Sequence, residues 1–151
     1  PGPLSFAWGF KATSTIDSMI GYKQGNLRWL GTAGAKLDDI LTWIPCRLVV
    51  STLPLISKKP ESWLKIINIS EVEGSKYDSP NAGRSQAIFA NCIGIRMGGN
   101  NKYNGMESSK PLIGINQPKA SIESIKKIIS LTYKLQLMWL LVAVLIFRFS
   151  N

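Results

Sequence analysis

Two adjacent carboxylates are the side chains of this sequence that first suggest chemistry. Asp38 and Asp39 follow one another in a segment with helical spacing of apolar residues, and paired carboxylates with nearby cations can hold Mg²⁺ and the phosphates of a nucleotide. By spacing alone, two aspartates in an early helical turn more often complement the helix dipole. Further groups in the same region suit a metal or a phosphate: Lys11, Asp17, Tyr22, Lys23, Arg28 and Lys36.

Arg47 is a sharper signal, because it is the only charged residue of the apolar run 40–56. A guanidinium among apolar groups is costly, so it needs a partner, which is either a carboxylate or a bound anion. The sequence leaves two alternatives open for Arg47: a functional role and an internal ion pair.

The stretch 79–83, Ser-Pro-Asn-Ala-Gly, is a further candidate binding element. Its proline favours an extended conformation at Ser79, and Asn81 can cap the helix that is predicted over residues 84–94. Gly83 lets the backbone approach a ligand closely. Because a helix N-terminus exposes free N–H groups and a partial positive charge, an anionic group can dock here. Plain capping is the commoner role of such a motif.

Residues 97–105 are rich in glycine and asparagine and are predicted to form a loop. Gly98 and Gly99 permit close approach of a phosphate or an amide. Neither GxxxxGK[ST] nor GxGxxG occurs in the sequence, so this is not a standard nucleotide-binding loop. We expect the loop and the 79–83 stretch to bind substrate together.

Composition excludes several classes of function. The 151 residues include no histidine, which removes His-based triads and His metal sites. Cys46 and Cys92 are far apart in apolar surroundings and are most simply core thiols. The net charge of +9 suits anionic partners, but the basic residues are dispersed and no nucleic-acid-binding motif occurs, so nucleic acid is not expected as a partner.

Helices must position these groups, because apolar residues recur at helical spacing along most of the chain. The predicted fold is all-α. The predicted helices cover residues 5–20, a second element from Thr32 that is kinked at Pro45, residues 61–73, residues 84–94, and a last helix that opens at Ser121.

Two segments are apolar enough to suggest a membrane. Residues 40–56 contain Arg47 and two prolines, which fits a broken span, a re-entrant helix or a buried helix. Residues 137–147 have no polar group except the indole N–H of Trp139, and with snorkelling of Lys134 the last helix is long enough to span a bilayer. The alternative is a buried C-terminal helix of a soluble protein.

The central part of the chain is flanked by four lysines, Lys58, Lys59, Lys126 and Lys127. We therefore expect this part to face the cytoplasm. We predict one domain over residues 1–151, in which helices with the broken or re-entrant membrane element cover 5–56, a cytoplasmic helix-and-loop segment covers 57–120, and a transmembrane helix covers 121–149.

The chain begins Pro-Gly-Pro without Met and shows no signal-peptide pattern, so we expect a fragment or a processed product.

Several motifs in a fixed order resemble one known family, the adenosylcobinamide-phosphate synthases of cobalamin biosynthesis (the CobD/CbiB family). The resemblance covers most of the chain. The motifs are TIDSMIGYK at 15–23, residues 31–39 ending in AKLDD, WIPCRL at 43–48, SPNAG at 79–83, Ala87, Gly94, MGG at 97–99 and YNG at 103–105.

The resemblance implies a multi-pass protein of the cell (inner) membrane, of which this chain is the C-terminal half. It implies ATP-dependent amide formation that joins aminopropanol, or its phosphate, to a propionate carboxylate of adenosylcobyric acid. The expected partners are therefore these substrates, ATP, membrane lipid and the N-terminal half of the same protein. ATP and Mg²⁺ act as co-substrate and metal, with no tightly bound cofactor.

The resemblance also locates a site, and roles follow by inference. Asp38 and Asp39 would hold the metal, and Asp17 would be a metal or amine ligand. Phosphate would be neutralised by Lys11, Lys23, Lys36 and Arg47. The remaining substrate-binding residues would be Tyr22, Ser79, Asn81, Gly83, Gly98 and Gly99.

The chain departs from the family pattern at two positions. Family members commonly carry Glu where this chain has Gln86, so we assign no acid or base role to that position. They commonly carry Ala where it has Cys46, a small change that should be neutral.

Two other classes of function compete with a synthase. A membrane component that binds or transports corrinoid without chemistry also explains Arg47, but it gives no reason for the aspartate pair. A soluble basic binding domain requires residues 137–147 to be packed inside protein.

Overall fold

The computed structural model describes residues 2–20, 28–57, 62–103 and 106–150. Five sites of interest in the sequence lie outside these residues: Gly21, Tyr22, Lys23, Lys58 and Lys59. The described chain is mainly helical, as predicted, and it adds one β-hairpin to the all-α expectation. In chain order the elements are α1 (Pro3–Ile20), α2 (Arg28–Ile56), α3 (Trp63–Gly74), α4 (Pro80–Ile93), β1 (Met97–Tyr103), β2 (Met106–Ile113) and α5 (Ile122–Ser150).

Contacts between residues divide the chain into two compact units, Pro1–Pro45 and Cys46–Asn151. The first contains α1 and the beginning of α2. The second contains the rest of α2 together with α3, α4, the hairpin and α5. Each unit is described separately.

Helix α2 runs without interruption over 29 residues, through Pro45, where we predicted a kink. A proline removes one backbone hydrogen bond from a helix, and the helical conformation continues through both Pro45 and Pro54. Pro54 is fully buried, so packing in the second unit offsets the lost bond there. Of the alternatives left open for residues 40–56, a broken helix does not fit, and the kink at Pro45 stays a prediction.

Helix α4 begins earlier than the predicted range 84–94. Its N-cap is Ser79, whose Oγ accepts the N–H of Ala82 at 3.4 Å. Pro80 occupies the first helical position, where the missing N–H is not needed. Asn81 thus lies within the first turn and is buried. The assignment of the cap to Asn81 is wrong, because the fixed φ of proline already starts the helix before it.

The predicted Gly/Asn loop is wrong for the described residues 97–103, which form β1. This strand pairs antiparallel with β2, with Met97 opposite Ile113 and a register shift before Gly99. Gly98 lies at the shift with φ +85°, and a Cβ there would lie 2.1 Å from the Pro111 carbonyl oxygen. The glycines that suggested a loop therefore form a β-bulge, where only glycine fits.

The core of the second unit lies between α2, α3, α4 and α5. Two pairs of buried residues are each four residues apart, Ile88 and Cys92 on α4 and Leu131 and Leu135 on α5. Each pair therefore lies on one face of its helix. A smaller apolar cluster joins α4 to the hairpin through Ala87, Ala90, Ile95 and Ile113. The main cluster consists of Cys46, Val50, Leu53, Ile66, Ile88, Cys92, Leu131 and Leu135.

Ser121 lies just before α5, where the last helix was predicted to open. Its Oγ accepts the N–H of Ser124 at 3.2 Å, and the Oγ of Ser124 accepts the N–H of Ser121 at 3.2 Å. This reciprocal pair satisfies two backbone donors at the helix start, as a capping box does.

Two helices are long and apolar enough to cross a membrane by length and composition, over Gly31–Ile56 and Ile122–Phe149. Only 22% of the first apolar window and 11% of the second are buried inside the protein. The large side chains of these helices, such as Trp43, Leu141 and Phe147, are mainly exposed. The second helix is therefore little covered by the other described residues of this chain.

Candidate functional site

The turn between α3 and α4 brings two helical backbones into direct contact. A Cβ on Gly83 would lie 2.2 Å from the carbonyl oxygen of Gly74 and 2.6 Å from Cβ of Tyr77. A Cβ on Gly74 would in turn lie 2.5 Å from Cα of Arg84. Neither position has room for a side chain. The structure thus gives Gly83 a packing role, and its contact with substrate stays a prediction.

This close approach places Glu71 of α3 between two arginines. Oε2 of Glu71 accepts a hydrogen bond from Nε of Arg84, and Oε1 lies 3.9 Å from Nη1 of Arg47. The side chain of Arg84 is 17% exposed, whereas those of Arg47 and Glu71 are 34% and 33% exposed. Of the two partners that we considered for Arg47, a carboxylate or a bound anion, the structure shows a carboxylate in an internal ion pair, and a functional role of Arg47 stays a prediction. Two guanidinium groups thus share the carboxylate of Glu71.

The thiol of Cys46 joins this cluster to the start of α4. Sγ donates to the carbonyl oxygen of Asn81 at 3.3 Å, and both Nη1 of Arg47 and Oγ of Ser85 lie 3.6 Å from Sγ. Cys46 is buried, as predicted for a core thiol. These contacts hold Arg47 and Asn81 next to each other, two residues that the sequence had placed in separate motifs.

A cleft of about 430 Å³ opens at the start of α4, between this helix and β2. Tyr77 forms part of its wall and donates its hydroxyl proton to the Pro111 carbonyl oxygen at 2.9 Å. Burial, and to a lesser extent the negative charge of Glu73, raises the pKa of the Tyr77 phenol. The phenol therefore remains a proton donor at neutral pH. The cleft is lined by Lys76, Tyr77, Asp78, Ser79, Ala82, Gln86, Ser109, Lys110 and Pro111.

Glu73 fixes the hairpin to the helices. Its Oε1 accepts the N–H of Gly114 at 3.0 Å, and its Oε2 accepts from Nδ2 of Asn91 at 2.9 Å. Nδ2 of Asn91 also lies 3.1 Å from Oγ of the buried Ser70. One carboxylate thus links α3, α4 and the end of β2, and thereby holds the β2 wall of the cleft in place.

The aspartates lie in the first unit. Gly34 of α2 is buried against α1, since a Cβ there would lie 3.2 Å from Cγ2 of Ile16 and 3.7 Å from the backbone nitrogen of Asp17. Asp38 follows Gly34 by one helical turn and so lies on the same face of α2. Asp17 and Asp39 are close enough to Asp38 for their negative charges to repel it.

These oxygens suit a hard cation such as Mg²⁺, which proteins usually hold through one or two carboxylates together with water and substrate phosphates. Within the part of the chain that the structure describes, no group of three or more His, Cys, Asp and Glu residues could hold a metal ion. A Mg²⁺ ion at Asp38 and Asp39 would therefore take its remaining ligands from water and substrate.

The predicted residues thus fall into two groups. Lys11 lies on α1 beside Leu4, Ala7 and Trp8, at a shallow apolar hollow of about 280 Å³, and Lys36 is exposed on α2. The first unit contains Lys11, Asp17, Lys36, Asp38 and Asp39, and the second contains Arg47, Ser79, Asn81, Gly83, Gly98 and Gly99.

Sequence reasoning missed several residues of the second unit: Glu71, Glu73, Tyr77 and Arg84, together with the cleft lysines Lys76 and Lys110. None of them lies in a spacing that marks a known motif. The only signal was the need of Arg47 for a partner, and that signal does not say which carboxylate supplies it.

Comparison with known proteins gives a consistent result. The sequence model of one protein family, described as "CobD/Cbib protein", matches residues 2–132. A "Cobalamin biosynthesis protein CobD" of Synechocystis sp. is 46% identical over 113 residues, which are 75% of this chain and 32% of that protein. No solved structure matches.

Two further relatives extend the match. A "Cobalamin biosynthesis protein CobD" of Yersinia enterocolitica is 33% identical over 99% of this chain and 46% of that protein. A "Cobalamin biosynthesis protein CbiB" of Salmonella arizonae is 33% identical over 87% of this chain and 42% of that protein. The chain therefore spans less than half the length of these curated relatives.

Proposed function

Because this chain belongs to the CobD/CbiB family, we propose that it is the C-terminal half of a membrane-bound, amide-forming enzyme of cobalamin biosynthesis. The enzyme joins the amine of aminopropanol, or of its phosphate, to a propionate carboxylate of adenosylcobyric acid. ATP first phosphorylates the carboxylate and leaves as ADP. The amine then attacks the acyl phosphate, an amide bond forms, and inorganic phosphate and a proton depart.

One observation carries the proposal: the cluster of Arg47, Glu71 and Arg84 beside the first turn of α4. Both the substrate carboxylate and the acyl phosphate are anions, and guanidinium groups bind such oxygens in a fixed fork. Glu71 lies between the two guanidinium groups and fixes where they can present N–H donors to such an anion. Arg47 is partly exposed and can reach that anion while Glu71 holds its position.

The cleft at the start of α4 suits a second anionic group. Lys76 and Lys110 line its edge, and Ser79 and Ser109 add hydroxyl groups. A phosphate of the nucleotide or of the amine substrate would be bound there. Gln86 lines the same cleft and cannot act as an acid or base, so its role is to orient the ligand by hydrogen bonds.

Asp38 and Asp39 would hold the Mg²⁺ ion that accompanies ATP, with Asp17 as a third carboxylate nearby. A bound Mg²⁺ screens the phosphate charge and so lowers the barrier to attack by the carboxylate. Lys11, Lys23 and Lys36 would add positive charge toward the phosphates.

The proposed location is the cell membrane, crossed more than once. The candidate span Ile122–Phe149 is long enough to cross it and is mostly unburied within the protein. The basic segment 57–120 would then lie on the cytoplasmic side, where an excess of lysine and arginine is retained and ATP is available.

The test is an assay of the full-length protein in detergent or lipid, with adenosylcobyric acid, ATP·Mg²⁺ and either aminopropanol or its phosphate. We expect ATP-dependent formation of the amide, and a loss of roughly tenfold or more in kcat/KM for Arg84→Lys, which keeps the charge but not the fork. Lys65→Gln, on the exposed side of α3, is the matched control. Binding of the corrinoid with no product would instead identify a transport or carrier component.

A further inference from the structure

A second cavity, of about 220 Å³, lies where the end of α2, the end of α4 and the first turns of α5 meet. The proposed reaction makes no use of it. It is lined by Ile56, Ser57, Cys92, Ile93, Lys127, Ser130, Leu131 and Lys134.

One side of this cavity is lined by charged and polar side chains, and the other side is lined by apolar ones. Lys127, Ser130 and Lys134 lie on one stripe of α5, about 10 Å long at 1.5 Å per residue. Opposite them are the apolar side chains of Ile56 and Ile93. A free phosphate ion would use only the charged side, whereas an amphiphile with an anionic head would use both.

The cavity also lies at the depth in the membrane where lipid headgroups are found. The candidate span Ile122–Phe149 on α5 is 28 residues long. A hydrocarbon core of about 30 Å needs only about 20 helical residues, so several residues of α5 lie outside it. Lys127 and Lys134 then lie on either side of the boundary, and lysine side chains there extend toward the headgroups.

Nearby charges leave the cavity positive. Glu123 lies 3.3 Å from Nζ of Lys127, but both side chains are well exposed, at 77% and 61%, and such a surface pair is weak. Lys134 is a further cation of the cavity lining.

We propose that this cavity binds the headgroup of an anionic phospholipid, with the phosphate at Lys127 and Lys134 and the glycerol and upper acyl chain against Ile56 and Ile93. Basic pockets between membrane helices on the cytoplasmic side are known to hold such headgroups. The inference rests on the membrane location in the proposed function and not on the amide-forming reaction.

The test compares lipid retention by the full-length protein in native mass spectrometry, with phosphatidylglycerol and phosphatidylcholine as probes. We expect a preference for phosphatidylglycerol that falls roughly tenfold in the double variant Lys127→Gln, Lys134→Gln. The control double variant Lys119→Gln, Lys126→Gln removes the same charge from exposed sites outside the cavity and should keep the preference. Lys127→Arg with Lys134→Arg should keep it as well, which shows that the pocket variant lost charge and not its fold.

If both glutamine double variants lost the preference for phosphatidylglycerol equally, any positive charge on the protein would attract the lipid. That result would overturn the proposal. Displacement of phosphatidylglycerol by millimolar inorganic phosphate would also overturn it, because the site would then take a soluble anion. If the enzyme assay fails while the lipid preference and its loss are as expected, only the proposed reaction is wrong. If the full-length protein stays in the aqueous phase without detergent, the membrane location itself is wrong.

Discussion

Glu71 on α3 accepts a hydrogen bond from Nε of Arg84 on α4, thirteen residues further along the chain. The same carboxylate reaches Arg47 on α2, so one acidic side chain connects three helices. A carboxylate between two guanidinium groups fixes the positions of both.

The first prediction concerns this carboxylate. Glu71→Gln should lower the free energy of unfolding by about 1 kcal/mol, because two partly buried arginines lose their counter-charge. Glu107→Gln, which removes the surface partner of Lys102 in the hairpin, should change it by only a few tenths of a kcal/mol. Denaturant titration of both variants measures the difference, and equal effects would show that Glu71 is an ordinary surface charge.

The contact between α3 and α4 gives a second prediction. Gly83→Ala should destabilise the protein by roughly 2–4 kcal/mol or prevent folding, since its methyl group would overlap the Gly74 carbonyl. Gly9→Ala is the matched control, because no atom lies within 4 Å of a Cβ there and alanine favours a helix interior. Thermal unfolding and expression level check both. A folded Gly83→Ala protein of normal stability would contradict the contact.

A third prediction tests the metal assignment. Asp38→Asn and Asp39→Asn should each raise the Mg²⁺ concentration needed for half-maximal turnover of the full-length enzyme, and each should lower turnover by roughly tenfold or more. Glu123→Gln, on the first turn of α5, removes a carboxylate elsewhere and should leave the Mg²⁺ response unchanged. Full turnover in both asparagine variants would show that these residues do not hold the metal.

The fourth prediction concerns the pH dependence of Tyr77. Its pKa in the folded protein is raised from 10.0 by burial first and by Glu73 second. The folded state thus holds the phenolic proton more tightly than the unfolded chain. This contribution to stability is fully present below pH 10 and is lost as the pH rises above 10 through the folded pKa.

Ultraviolet titration of the phenolate measures this directly. Tyr77→Phe should remove one transition with a midpoint above 10, and it should lower the free energy of unfolding by about 1 kcal/mol through loss of the bond to Pro111. Tyr133→Phe, at an exposed site on α5, should affect stability little. A Tyr77 transition at or below 10 would contradict the assigned surroundings.

The sequence by itself determined the helices and the family. Apolar periodicity is a local property, set by neighbours three and four residues apart, so α1, α3 and α5 could be located within a few residues. The family motifs are contiguous stretches and need no structure to be found. The requirement for a partner at Arg47 also followed locally, from the cost of a charge in an apolar segment.

Only the tertiary structure decided which groups meet. The sequence favoured Asn81 as a cap and Gly98 as a loop residue, because both types are common in those roles. The ring of Pro80 instead moved the cap to Ser79, and the nearness of the Pro111 carbonyl made Gly98 part of a bulge. Likewise, the choice of Glu71 for Arg47 depends on two helices approaching through Gly74 and Gly83. That is a distance across the fold, and no pattern along the chain contains it.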